Sequence, residues 1–273
     1  RLAARGFVVR WWNPAPDSRG RWSLDFAALE GLLGPRTALV AFPHVSNVLG
    51  DVWDVRRACG LAAAAGARSY VDGVAFAPHR LPDVQQLGCD WYVYSTYKVF
   101  GPHMAALYGA ASAFNPLTGP NHPFIPRALL PYKFELGGVN HEAAAMLAAS
   151  SRYFAWLAGQ DAADGRIDRA TMQCAFEAVD QIESLLQEQL ILGLSTLPRV
   201  RLIGSPAADA SRVCTVSFVV EGASSAAIVR SLNASEFGCR FGHFYSRRLV
   251  EQMGLDPEYG VIRVSLAHYN TQE

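Results

Sequence analysis

Lys98 stands in the run Ser95-Thr96-Tyr97-Lys98-Val99-Phe100-Gly101-Pro102-His103, downstream of an acidic turn, Val71-Asp72-Gly73. With Lys133 it is one of only two lysines among 24 basic residues. An amine, a carboxylate and a hydroxyl in this arrangement suit one kind of chemistry. The amine can form a Schiff base with a carbonyl, the carboxylate can hold a protonated pyridine nitrogen, and the hydroxyl can meet a phosphate. Pyridoxal 5'-phosphate (PLP) asks for that set. Its ring draws electrons from a substrate Cα, and a carboxylate at the ring nitrogen keeps that sink effective. The lysine, once released, can move the proton at Cα. Plainer roles exist for each residue. Asp before Gly often closes a turn, Ser95 could cap one, and Asn47 in His44-Val45-Ser46-Asn47 could close an Asx turn. A scarcity of lysine by itself reflects codon preference.

These groups need a scaffold that delivers them to one edge. Residues 7–12 are β-branched or aromatic and predict a strand. Residues 24–33 have helical spacing and stop at Gly34-Pro35. Residues 37–42 form a continuous apolar run, expected of a strand buried on both faces. A helix is expected over 52–65, then strands over 69–71, 91–94 and 104–108. Strands alternating with helices imply a mainly parallel sheet, an α/β architecture whose ligands bind beyond the carboxyl ends of the strands. Asp72 and Ser95 fall at such ends. Residues 115–131 read as a long functional or interface loop. Helices are expected over 141–157 and 169–194. After Pro198 come strands at 200–203 and 213–219, a helix at 225–235, and short strands near 238–240 and 261–265. The division expected is a large domain over 1–160 and a small α+β domain over 161–273.

Composition sets the remaining bounds. The 273 residues are 51% hydrophobic, enough for a sizeable core, and the formal net charge is zero. Nothing in that balance favours nucleic acid or an acidic membrane surface. No apolar run approaches the ~18 residues of a membrane-spanning helix. The five cysteines are odd in number and dispersed, which fits reduced thiols of a cytoplasmic protein better than disulfides or a zinc site. There is neither a Gly-x-Gly-x-x-Gly after a strand nor a Walker A run, so a nucleotide-binding reading is weak.

The motifs together resemble the class V aminotransferase family, which includes the cysteine desulfurases and selenocysteine lyases. The likeness runs through His44-Val45-Ser46-Asn47-Val48-Leu49-Gly50, Val71-Asp72-Gly73 and the stretch from Gly88 to His103. It returns in Phe134-Glu135-Leu136-Gly137-Gly138-Val139-Asn140-His141-Glu142 and closes with Ile262-Arg263-Val264-Ser265-Leu266-Ala267-His268-Tyr269-Asn270-Thr271. It is strongest to a desulfurase-like branch with Ser-x-Tyr-Lys in place of Ser-x-His-Lys. The resemblance implies a PLP enzyme acting on an amino acid as a homodimer; composition adds the expectation of no nucleic-acid, membrane or metal partner. The resemblance implies that Lys98 carries the cofactor and acts at Cα, and that Asp72 pairs with the pyridine nitrogen. It further implies that Ser95 and Tyr97 lie on the phosphate side, Asn47 near the phenolic oxygen, and Arg263 on the substrate carboxylate. His44, His79 and His103 are expected to be structural, and His243 is a weaker active-site candidate.

Three departures accompany the likeness. Desulfurases carry a mobile cysteine in a loop of the form Arg-x-Gly-His-His-Cys, and here that loop is Arg240-Phe241-Gly242-His243-Phe244-Tyr245. Tyr245 cannot take up sulfur, and Cys239 is expected to lie in a strand. The Gln or His that follows the aspartate at the third position is Ala75, and a Gly-Thr pair is Gly137-Gly138. The family's phosphate-binding turn and ring-stacking residue precede the position matched by Arg1, so the expectation is a fragment of a longer protein. The alternative expectation is a degenerate, non-catalytic relative serving as a binding or scaffold subunit.

Overall fold

The computed structural model describes residues 2–18, 21–161, 165–235 and 237–273. A short hairpin, β1 (Pro14–Pro16) and β2 (Trp22–Leu24), opens the fold. Asp25 then starts α1 (Phe26–Leu32) by accepting a hydrogen bond from the Ala27 amide. There follow β3 (Leu39–Pro43), α2 (Val55–Ala64), β4 (Arg68–Asp72), α3 (Val84–Leu87), β5 (Trp91–Ser95), β6 (Ala105–Gly109) and α4 (Ala111–Phe114). The sheet order is β3-β4-β5-β6; the first two pairings are parallel and the last antiparallel. This is the mainly parallel α/β sheet that the alternation of elements predicts.

Its core explains where the strands end and which face they bury. Leu29 of α1, and Val55, Ala58, Cys59 and Ala62 of α2, pack against Val40, Phe42, Val71 and Tyr92 of the strands. β3 was expected to be buried on both faces. Instead its residues alternate, with Val40 and Phe42 buried and Leu39, Ala41 and Pro43 exposed. The helices cover one face only, so the other set of side chains meets solvent. The segment 7–12 forms no strand. One of its rings docks on the core instead: Trp12 packs edge-on to Phe26 and Phe42 and donates to the Asp25 carbonyl at 2.7 Å. The hairpin β1–β2 was not foreseen, because prolines argue against a strand.

Two long helices follow, α5 (His141–Leu157) and α6 (Arg169–Ser195), started by Asn140 and Asp168 as N-caps. A second sheet, order β7-β8-β10-β9, is wholly antiparallel. Its strands are β7 (Val200–Ile203), β8 (Thr215–Val220), β9 (Arg240–Gly242) and β10 (Val261–Ser265), with α7 (Ser225–Asn233) and α8 (Arg247–Gln252) between them. Ile262 and Phe218 turn to one face, where Val229 of α7 and Cys239 cover them. Val261 turns to the other, against Val48 and Leu49 of the loop after β3. The second sheet therefore lies against that loop.

The joint is closely packed. The Val213 amide donates to the Gly50 carbonyl at 2.9 Å and the Val52 amide to the Ser211 carbonyl at 2.8 Å. Gly50 has φ +77, and a Cβ there would sit 2.2 Å from the Thr215 carbonyl oxygen, so glycine is required by both conformation and space. Buried Arg212 donates to the carbonyls of Thr215 and Ser205. The other lysine, Lys133, is also buried, at 2% exposure. Its ammonium donates to the carbonyls of Phe114, Asn115 and Leu117 at 3.0, 3.2 and 2.8 Å. It closes the carboxyl end of α4 and pins the start of the 115–131 loop.

Candidate active site

β4 and β5 run parallel and end side by side, with Asp72 opposite Val93. Backbone bonds tie the ends together: the His44 amide donates to the Asp72 carbonyl and the Gly73 amide to the Val93 carbonyl, both at 2.8 Å. Asp72 closes a tight turn as its carboxylate accepts from the Val74 amide at 2.9 Å. Its side chain is otherwise turned to solvent. Gly73 is dictated by space, since a Cβ there would meet the Tyr92 ring at 2.1 Å. That ring is held in turn by His44, whose Nδ1 lies 2.9 Å from the phenolic oxygen. His44 stacks on Phe76 at 3.6 Å, and burial pushes its imidazole down to about 4. It is neutral at physiological pH and braces the strand end.

Ser95 ends β5, and Tyr97 and Lys98 sit in the 3-10 turn Thr96–Lys98 that follows. Thr96 is the anchor. It is 1% exposed, and its hydroxyl lies 2.5 Å from the Pro102 carbonyl and 3.1 Å from that of Met104. The Thr96 carbonyl also accepts from the Val99 and Gly101 amides. To close this turn Phe100 adopts φ +57, a left-handed conformation uncommon for a bulky side chain. Lys98 and Tyr97 are left exposed, with the Tyr97 ring stacked on His103 at 4.9 Å. The sequence pointed to Ser95 and Lys98 but passed over Thr96, the residue that fixes both.

Asn47 and Arg263 meet across the joint between the sheets. The Asn47 side chain donates to the Phe244 carbonyl and accepts from the Ser246 hydroxyl, each at 2.7 Å. Arg263 donates to the Asn47 carbonyl at 3.0 Å, and its guanidinium lies 3.9 Å above the Phe244 ring. Partial burial holds its pKa below the usual guanidinium range. Phe244 and Ser246 were missed in the sequence, because their partner is about 200 positions away; the aromatic beside His243 was the one local sign. The loop that carries them is strained, with φ +49 at Phe244 and +64 at Tyr245. Tyr245 is 101% exposed. Cys239 is not in a strand, as the sequence suggested, but just before β9. It is buried among Phe218, Val229 and Ile262, and burial raises its thiol pKa. Ala75 packs beside Val45, Phe76 and Val213. His79 lies 2.6 Å from the buried Glu183 carboxylate.

The groups present at the strand ends fit PLP. The exposed amine of Lys98, the outward carboxylate of Asp72 and the Ser95 hydroxyl leave adjacent strand ends, and space at Gly73 forbids any other residue beside the carboxylate.

Comparison with known proteins places the chain. The aminotransferase class-V family model matches residues 2–273. An aminotransferase-like protein of Gibberella zeae is 38% identical over 99% of this chain and 64% of its own length. A cysteine desulfurase-like protein of Aspergillus flavus is 34% identical over 98% of this chain and 59% of its own. A cysteine desulfurase structure from Thermococcus onnurineus superposes with a TM-score of 0.74 at 26% identity, over 91% of this chain and 60% of that one. The chain thus spans about 60% of the length of these relatives. With its motifs in order along nearly the whole sequence and its fold shared with desulfurases, the chain belongs to the class V aminotransferase family, in a desulfurase-like branch.

Proposed function

We propose that this chain forms the cofactor-bearing part of a PLP-dependent enzyme acting at the Cα of an amino acid. The placement of Asp72 and Ser95 on adjacent parallel strand ends, with Lys98 in the turn that follows, carries this reading. The bound cofactor would supply an electron sink for charge developing at Cα. Lys98 would hold it covalently and then hold or deliver the Cα proton. Asp72 would keep the ring nitrogen protonated. Ser95 and Tyr97 would donate to the phosphate, and Asn47 would approach the phenolic oxygen. Arg263 would orient the substrate carboxylate through its planar fork of donors.

The working unit in this reading is a cytoplasmic homodimer, with a large domain over 1–160 and a small one over 161–273. Reaction type is narrowed by Tyr245. A phenol cannot accept sulfur as a persulfide, so the chemistry proposed is lysine-centred elimination, transamination or racemisation and excludes sulfur relay through this loop. Titration of the intact protein with PLP tests the proposal; without a visible absorbance band from lysine-bound cofactor it fails. A non-catalytic scaffold is the second reading, favoured by Ala75 in an apolar cluster. Turnover of any amino acid removes it.

The ring under Arg263 gives a separate expectation. Phe244→Leu keeps bulk but removes the π-face, a loss of about 0.5–2 kcal/mol in holding the guanidinium. Steady-state kinetics should then show KM raised roughly 2- to 30-fold with kcat little changed, the sign of lost ground-state binding. A fall in kcat with KM unchanged would assign Phe244 to another role.

A further inference from the structure

Arg263 has an arginine for its cross-strand neighbour. On β10 and β9 it is directly paired with Arg240. Paired residues leave a sheet on the same face with Cβ atoms about 5 Å apart, and like charges so placed repel. The face is identified by its other members. Val261 packs on Val48 and Leu49, and Arg263 donates to Asn47. The opposite face, with Ile262 and Cys239, is the one under α7. Arg240 therefore projects from the face that looks toward the strand-end site, on an edge strand and exposed. Among the described residues, neither Arg240 nor Arg263 takes part in an ion pair.

Two arginines at paired positions on one sheet face, neither with an acidic partner, put two positive charges within reach of one bound molecule. Resting on the reading that Arg263 takes the α-carboxylate, we propose that Arg240 takes a second anionic group, and that the substrate is an acidic amino acid. Arg263 already spends one donor on Asn47 and is backed by the Phe244 ring, which fixes its plane. Arg240, unconstrained at the rim, can swing to meet a side-chain anion of differing reach. An anion shared by the pair also relieves the repulsion built into the register.

Calorimetric titration of the intact protein, with and without PLP, tests this with aspartate against asparagine and glutamate against glutamine. Each pair is nearly isosteric and differs by one negative charge. The acid should bind about tenfold or more tightly than its amide in at least one pair, as a charge-assisted contact predicts. Arg240→Gln should bring that ratio to within about twofold, Arg240→Lys should restore part of it, and Arg263→Gln should weaken acid and amide alike. The ratio within one variant is insensitive to partial unfolding. Equal binding of acid and amide by the wild type, or a preference that survives Arg240→Gln, overturns the proposal. Loss of preference with the cofactor band intact removes the receptor and leaves the cofactor reading. Acid preference without the band does the reverse, and binding of neither overturns both.

Discussion

Lys98→Ala is expected to abolish turnover and the visible band of lysine-bound PLP together. Two roles are lost at once, the covalent hold on the cofactor and the proton carrier at Cα, and the second alone is worth about 10²–10⁴-fold in rate. Stability should be almost unchanged, because Lys98 is exposed and the turn around it is held by Thr96 rather than by the lysine. The measurements are absorbance after PLP titration, steady-state rate, and thermal unfolding of wild type and variant. Retention of the band in Lys98→Ala, or a drop in melting temperature as large as the loss of activity would need, would sink the assignment. A buried structural lysine would behave in the opposite way, so the pairing of lost chemistry with kept stability is the discriminating result.

Arg212→Met should be the most damaging substitution for stability, at about 2–6 kcal/mol for two buried carbonyls left without a donor. Arg212 is 1% exposed and its guanidinium serves the carbonyls of Thr215 and Ser205. Methionine fills similar space but leaves those acceptors without a donor. It also removes one of the two positive charges, with Arg21, that act on buried Asp51. Burial holds the Asp51 carboxyl up at about 6, against its ordinary 3.8, and Arg212 opposes that rise. Between those values the folded chain keeps a proton that the unfolded chain has released, so stability declines as pH rises through the window. Without Arg212 the carboxyl rises further and the decline extends above pH 6. Urea unfolding at pH 5 and pH 8 should therefore show a larger deficit for the variant at pH 8. An equal deficit at both would mean that lost carbonyl contacts, not the Asp51 charge, set the cost.

Regular elements and strand ends were legible because their signals are local. The strands β7 and β10 and the helix α5 fall at the expected residues, and Asp72, Ser95 and Lys98 come to one edge because βα alternation puts them there. What sequence alone missed depends on distant partners. The one-sided burial of β3 depends on which face the helices choose. The undoing of the expected strand at 7–12 accompanies the docking of one ring, Trp12, on Phe26 and Phe42. Asn47 was expected beside the cofactor's phenolic oxygen or in an Asx turn, and its role as a clamp on the Phe244–Ser246 loop exists only once the second sheet packs against the first. Thr96 was invisible because a buried hydroxyl has no pattern of its own.

The two lysines end in opposite circumstances, and that has a practical consequence. Lys133 is sealed behind three carbonyl oxygens, while Lys98 faces solvent. An amine-acylating reagent added to the native chain would find a single side-chain target. Mass spectrometry should show one modified lysine, Lys98, until denaturation releases the second. Prior loading with PLP should shield even that one. Within these 273 residues the rarity of lysine makes Lys98 a single-site reporter of cofactor occupancy, with no engineered label.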